Sequence, residues 1–187
     1  MKKLDRLKYA VCSFEERAKI LRKEGARIGK NSMIYHDASL GSEPYLVELG
    51  DNVRLTSGVK ITTHDGGLWV LRNDGRLKDA DKFGRVKIGN NVHIGLNSII
   101  MPGVTIGDNV IVGCGAVVTK DIPSNSVAVG VPAKVIESID EYYEKVKDKV
   151  VFTKGLSAQE KRAFVEKELS DGGKCGLSAS SKRKTKS

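Results

Sequence analysis

Three histidines and three cysteines hold most of the side-chain chemistry open to this chain, and their spacing separates them. Cys12, Cys114 and Cys175 show no paired spacing, which argues against a disulfide framework or a zinc knuckle. His36, His64 and His93 are single and far apart, whereas a histidine-bound zinc needs several that converge. What one histidine does well is accept and return a proton near neutral pH. His64 is the one that its surroundings mark out. It lies in "ITTHDGGLWVLRNDGRLKDADKFGRVKIG" (Ile61 to Gly89), where a regular aliphatic rhythm stops and resumes only at Ile88.

That rhythm defines the scaffold. Aliphatic residues fall six apart at Ile28, Ile34 and Leu40, then at Leu49, Leu55 and Ile61. They return at Ile88, Ile94, Ile100, Ile106, Val112 and Val118. A step of six fits neither a helix nor an isolated amphipathic strand, but it fits a chain that turns a corner every six residues. Three sides make a triangular coil with one aliphatic side chain per side pointing inward. Coils stack by parallel-strand hydrogen bonds at about 4.8 Å, and each buries its apolar layer only against its neighbours. Three residues after each aliphatic position stand Asn31, Asp37, Glu43, Asn52, Gly58, His64, Asn91, Asn97, Gly103, Asn109, Gly115 and Asp121. All but two are Gly, Asn or Asp, the types that tolerate tight corners. Glu43 and His64 are the exceptions. Glu43 lies where the step from Leu40 to Leu49 widens to nine, which predicts a bulge or small loop.

The flanks read as helices. "SFEERAKILRKEG" carries a Ser13–Glu16 capping box, stops at Gly25, and places Phe14, Ala18 and Leu21 on one face that could cover the first coil. "SNSVAVGVPAKVI" reads as an extended exit with Pro132, "DEYYEKVKDKV" as a helix, and "SAQEKRAFVEKELS" as a second one capped by Ser157 and Glu160. The expected organisation is a helical cap over 1–26, the coil over 27–136 with an extruded loop at 66–85, helices over 137–170 and a disordered basic tail over 171–187.

Aromatics make up only 5% of the 187 residues, so the core is aliphatic and thin-layered. The formal charge of +9 sits partly in the tail "SKRKTKS", and no nucleic-acid-reading motif accompanies it. The N-terminus lacks an apolar signal core, and no run approaches a membrane span. The simplest expectation is a soluble, cytoplasmic protein.

The segment "IGNNVHIGLNSIIMPGVTIGDNVIVGCGAVVTKDIPSNSVAVGVPAKVI" (Ile88 to Ile136) resembles the hexapeptide-repeat acyltransferases, in particular the branch of galactoside, maltose and polysaccharide O-acetyltransferases. The resemblance implies an all-β solenoid, a left-handed parallel β-helix. It implies a homotrimer with acetyl-CoA as co-substrate in the groove between subunits. It implies direct acetyl transfer to a saccharide hydroxyl, with His64, which follows "LGDNVRLTSGVKITT", as general base. No acyl-enzyme is required, and a backbone N–H on a Gly-rich coil would serve the oxyanion. Cys114 matches the position lining the pantetheine arm. Thr119 and Lys120 match contacts to the nucleotide end, and Lys134 matches a basic residue near the phosphates. The chain departs from the pattern in reading "HIGL" where relatives read "WIGS", so Leu96 stands at a thioester-placing position and His93 replaces a Trp. Acceptor contacts fall near Tyr35, and Trp69 in the extruded loop could stack on a sugar or anchor the loop. Three other readings remain in view: N-acetyl transfer to an amino-sugar nucleotide, a zinc carbonic anhydrase on the same prism, and a non-catalytic trimeric scaffold. The expected site contains no metal ligand.

Overall fold

The computed structural model describes residues 12–170. Its described residues form two compact units that divide between Ile139 and Asp140. The expectation of a disordered tail over 171–187 lies outside the described residues.

The first unit is the expected prism. One side is a parallel sheet of β1 (Arg27–Ile28), β3 (Val47–Leu49), β6 (Val86–Ile88) and β9 (Thr105–Ile106). The second side stacks β2 (Met33–Ile34), β4 (Arg54–Leu55), β7 (Val92–Ile94), β10 (Val110–Val112), β12 (Ser126–Val129) and β13 (Lys134–Ser138). The third is shorter, with β5 (Lys60–Ile61), β8 (Ile99–Ile100) and β11 (Val117–Val118). Register follows the repeat: Leu49 pairs with Ile88 and Ile88 with Ile106, so identical positions sit above one another. Of the twelve repeat aliphatics, all but the half-buried Ile28 are buried. Strands this short hold because neighbouring coils fix them, on both sides for the inner strands of each sheet.

Every Asn and Gly at the predicted corners has positive φ, between 54° at Asn91 and 87° at Gly103. Asp37, Glu43, His64 and Asp121 do not, so the three carboxylates and the imidazole stand at differently shaped corners. A second glycine column has a separate cause. A Cβ on Gly89 would lie 2.8 Å from the carbonyl carbon of Gly107 in the next coil, closer than real Cβ contacts allow.

Coil length varies in a way that the period alone conceals. Equivalent positions are 21 residues apart between the first two coils and 39 across the extruded loop. They are 18 apart in the regular coil and 16 in the last. The extra residues of the first coil form a 3₁₀ turn at Pro44–Leu46, which is the bulge expected after Leu40. The shortened last coil brings Ile122 onto Ile106, an apolar layer beyond the twelve predicted ones.

The cap also contains more than its apolar face. Helix α1 (Phe14–Lys23) has its capping box in place and buries Ala18 and Leu21. It also buries Arg17, whose Nη1 donates to the Ile34 carbonyl at 2.6 Å and Nη2 to the Cys12 carbonyl at 2.9 Å. Arg22 donates to the carbonyls of Ile28 and Gly29, at 3.0 and 2.9 Å. The first coil has no coil before it, and these guanidiniums occupy carbonyls that would otherwise form a raw sheet edge.

The exit differs from the extended segment expected. After Gly130 (φ 97°) and a cis Val131–Pro132 bond, β13 folds back antiparallel on β12. This hairpin closes the far end of the second side. In the second unit, α3 (Ile139–Val146, which begins at the boundary) precedes α4 (Ala158–Ser170). The Ser157 hydroxyl accepts from Glu160 N at 3.3 Å, and Ser157 N donates to Glu160 Oε2 at 2.8 Å. Among the described residues no helix is long and apolar enough to cross a membrane.

Candidate active site

His64 leaves the prism at the corner between the third and first sides, three residues after Ile61. The base of the extruded loop fixes its backbone. His64 bridges Phe83 in antiparallel sense, Asp65 N donates to the Lys82 carbonyl at 2.9 Å, and Gly84 N to the Thr63 carbonyl at 2.8 Å. Asp65 also accepts from Gly67 N at 3.0 Å and lies 3.4 Å from Lys82 Nζ. These contacts, the Gly67 bond foremost, hold its carboxyl below the usual range. The loop therefore starts from a closed, hydrogen-bonded neck. It contains a short helix, α2 (Leu68–Asn73 in chain order), and Arg72 ties its return to the Ala80 carbonyl and to Asp81.

The two exceptions in the corner pattern meet here. Glu43 Oε2 lies 3.0 Å from His64 Nδ1, and the Ser42 hydroxyl lies 3.3 Å from the same nitrogen. Thr63, which is fully buried as a residue, donates its hydroxyl to Glu43 at 2.5 Å. The bond from Thr63, then that to His64, pushes the Glu43 carboxyl below its ordinary value of 4.5. An ionised Glu43 accepts only, so Nδ1 of His64 must be the donor. In the neutral ring that tautomer leaves Nε2 as the nitrogen with a free lone pair. The imidazole is 46% exposed and the Glu43 side chain 16%, so the ring faces solvent while its partner is half-buried behind it. Phe83 meets the ring edge-on at 6.4 Å between centroids. Sequence reasoning singled out His64 and did not assign a role to Glu43, Thr63 or Phe83, which the structure places in contact with it or with each other. The available signal was that Glu43 broke the same corner rule as His64.

The other expected site residues border the third side. Leu96 and Cys114 are stacked exposed residues at its entry corner, where Gly115 N donates to the Leu96 carbonyl at 2.7 Å. Thr119 and Lys120 follow β11 at its exit corner, in the column that runs from Thr62 through Met101. Lys134 opens β13, next to Ala133, whose N–H donates to the Val117 carbonyl at 2.8 Å. Between these corners run the half-buried Ile99 and Val117. Lys134 begins a strand of the second side, paired with Val129, whereas Leu96, Cys114, Thr119 and Lys120 border the third side and His64 leaves from its exit corner.

Tyr35 is not brought there. Its hydroxyl accepts from Arg54 at 2.7 Å and its ring lies 5.3 Å from that of Phe14, so it packs beneath α1. Trp69 is not the loop's anchor within the chain: Leu68 is buried, whereas Trp69 is 64% exposed. His93 is half-buried between Arg54 and Ile111 in register, and burial, then the Arg54 charge, lowers its pKa from 6.5. Among the described residues no group of three His, Cys, Asp or Glu could hold a metal ion.

Comparison with known proteins agrees with this architecture. Residues 85–120 match the family model described as bacterial transferase hexapeptide (six repeats). Protein CapG of Staphylococcus aureus is 48% identical over 147 residues, covering 78% of this chain and 84% of that protein. A crystal structure of a maltose O-acetyltransferase from Clostridium difficile 630 superposes with a TM-score of 0.53 at 34% identity, over 71% of this chain and 81% of the other. A galactoside acetyltransferase in complex with coenzyme A superposes with a TM-score of 0.59 at 27% identity, over 82% and 84%. Of other matched acetyltransferases the chain spans 44% to 61% of the length. The likeness implies the left-handed winding that the repeat alone did not fix. With its stacked six-residue repeats, a histidine at the neck of the extruded loop and these relatives, the chain belongs to the hexapeptide-repeat acetyltransferases.

Proposed function

We propose that the chain is an acetyl-CoA-dependent O-acetyltransferase acting on a saccharide hydroxyl, with His64 as general base. The observation that carries this reading is the Thr63–Glu43–His64 chain, which directs Nε2 of an exposed imidazole outward at the mouth of the loop. His64 Nε2 takes the acceptor proton as the acceptor oxygen attacks the thioester carbonyl. A C–O bond forms, the C–S bond breaks, and the imidazolium returns its proton to the departing thiolate. Glu43 acts through His64: it holds the ring in one tautomer and offsets the charge that appears on it.

Acetyl-CoA fits along the third side. The coenzyme A bound to the galactoside acetyltransferase supports acetyl-CoA as the co-substrate; the placement is supported by Leu96, Cys114, Thr119 and Lys120 along that side and by Lys134, whose neighbour Ala133 bonds to Val117 of it. Half-buried Ile99 and Val117 offer an apolar path for the pantetheine arm, and the two lysines offer charge for the phosphates. The groove is completed in a homotrimer, in which Trp69 and Phe83 wall the acceptor. The contacts of Tyr35 support a packing role in place of an acceptor contact.

The test is thiol release from acetyl-CoA by purified protein with matched panels of hydroxyl and amino sugars. Turnover with neutral hydroxyl or uronic saccharides and an ester product supports the reading. Turnover only with amino acceptors would replace it with N-acetyl transfer. No turnover and no acetyl-CoA binding would leave a scaffold.

A further inference from the structure

A second constellation lies on the outer face of the first side, one strand beyond the His64 corner. Arg27 of β1, Glu48 of β3 and Lys87 of β6 are in register across neighbouring strands, and Arg85 precedes Lys87 by two positions, on the same face. With Tyr45 and Leu46 from the 3₁₀ turn these residues line a shallow cleft. One carboxylate serves two cations loosely: Glu48 lies 3.5 Å from Arg27 and 4.0 Å from Lys87. The Arg85 guanidinium has no hydrogen-bond or ion-pair partner among the described residues. Three cations around a single carboxylate leave the cleft electropositive, which favours an incoming anion. Guanidinium and ammonium groups held on adjacent strands suit a carboxylate or phosphate.

The cleft is tied to the active site through both segments that build it. Glu43 touches His64, and Tyr45 two residues later lines the cleft. Phe83 meets the His64 ring, and Arg85 two residues later lines the cleft. Two extended residues span at most about 7 Å. A saccharide with a hydroxyl at His64 Nε2 can therefore place a charged substituent, on the same or an adjoining sugar, in the cleft. The residues expected to meet the phosphates of acetyl-CoA sit in the last coils, whereas Arg27 and Glu48 belong to the first two.

We propose that the cleft formed by Arg27, Arg85, Lys87 and Tyr45 binds an anionic group of the acceptor, so that the enzyme prefers acidic saccharides, a uronate or a sugar phosphate. This rests on the saccharide acetyltransferase reading above. The test compares methyl glucoside, methyl glucuronide and glucose 1-phosphate as acceptors, with calorimetric binding of each run in parallel. At least one anionic acceptor is expected to show a KM about tenfold below the neutral one, as one charge-assisted hydrogen bond would give. Which of the two gains identifies carboxylate or phosphate as the group bound. Arg85→Gln and Lys87→Gln should each raise that KM about tenfold, leaving kcat and the KM for acetyl-CoA within about twofold. Glu48→Gln should lower it, because the carboxylate competing for Arg27 and Lys87 is gone, and a merely structural role for the cluster would not give that opposite sign. Lys23→Gln, on the exposed side of α1, controls for net charge. Equal KM values for neutral and anionic acceptors overturn the proposal, as does an Arg85→Gln effect confined to acetyl-CoA. If no saccharide is acetylated, the reaction assigned above fails; binding of an anionic saccharide that Arg85→Gln abolishes still upholds the cleft, and absence of such binding overturns it.

Discussion

Glu43→Gln isolates the contribution of charge behind the histidine. The substitution keeps size and an acceptor oxygen but removes the negative charge that faces Nδ1 at 3.0 Å and receives the Thr63 hydroxyl at 2.5 Å. A hydrogen bond to a charged group contributes about 1.5–3 kcal/mol. His64 is 46% exposed, so water screens part of that, and the lower end applies. The loss is felt most when the imidazolium forms, so it appears in kcat. About 1.5 kcal/mol is about a tenfold drop. Glu43→Ala removes the tautomer lock as well and should cost about a hundredfold, within the range of general-base catalysis. Steady-state thiol release with acetyl-CoA and a saturating acceptor measures both. A Glu43→Gln enzyme with unchanged kcat, or one whose only defect is a higher KM for acetyl-CoA, would refute the reasoning.

Two further outcomes follow from the same structure. Because its hydrogen bonds lower the Glu43 pKa below 4.5, its stabilising effect is complete at neutral pH and is lost as pH falls through the lowered value. The difference in thermal midpoint between the wild type and Glu43→Gln should therefore be largest near pH 7 and close in acid; a difference that widens in acid contradicts this. Arg17→Ala leaves the Ile34 carbonyl without its 2.6 Å donor at a residue only 4% exposed, which should cost about 1–3 kcal/mol, seen as a lower midpoint in chemical denaturation.

The repeat was legible because its physics is local: every six residues one aliphatic side chain must point inward and a corner must follow. Ile34, Leu55, Ile94 and Ile100 are fully buried as that rule requires. His64 was legible for the complementary reason, since it stands where the rule is broken. The Ser39–Lys60 bridge stacks Leu40 on Ile61, so the repeat itself puts the corner residues Glu43 and His64 in one column; what it did not report is the hydrogen bond between them and the Thr63 hydroxyl that completes it. Arg17 drew no notice in the sequence; its burial follows from the carbonyls of the first coil, a tertiary need. Pro132 suggested an extended exit, but the chain reverses there and β13 pairs with β12. Trp69, the most conspicuous loop residue by type, is exposed, and its inconspicuous neighbour Leu68 is the one buried.

The central claim is that His64 removes the acceptor proton and does not hold the fold or the acetyl donor. Its most direct test is His64→Ala, assayed for acetyl transfer and titrated with acetyl-CoA by calorimetry. The account predicts turnover reduced by at least about a thousandfold, with acetyl-CoA affinity within about twofold of wild type. Wild-type turnover in that variant would contradict it.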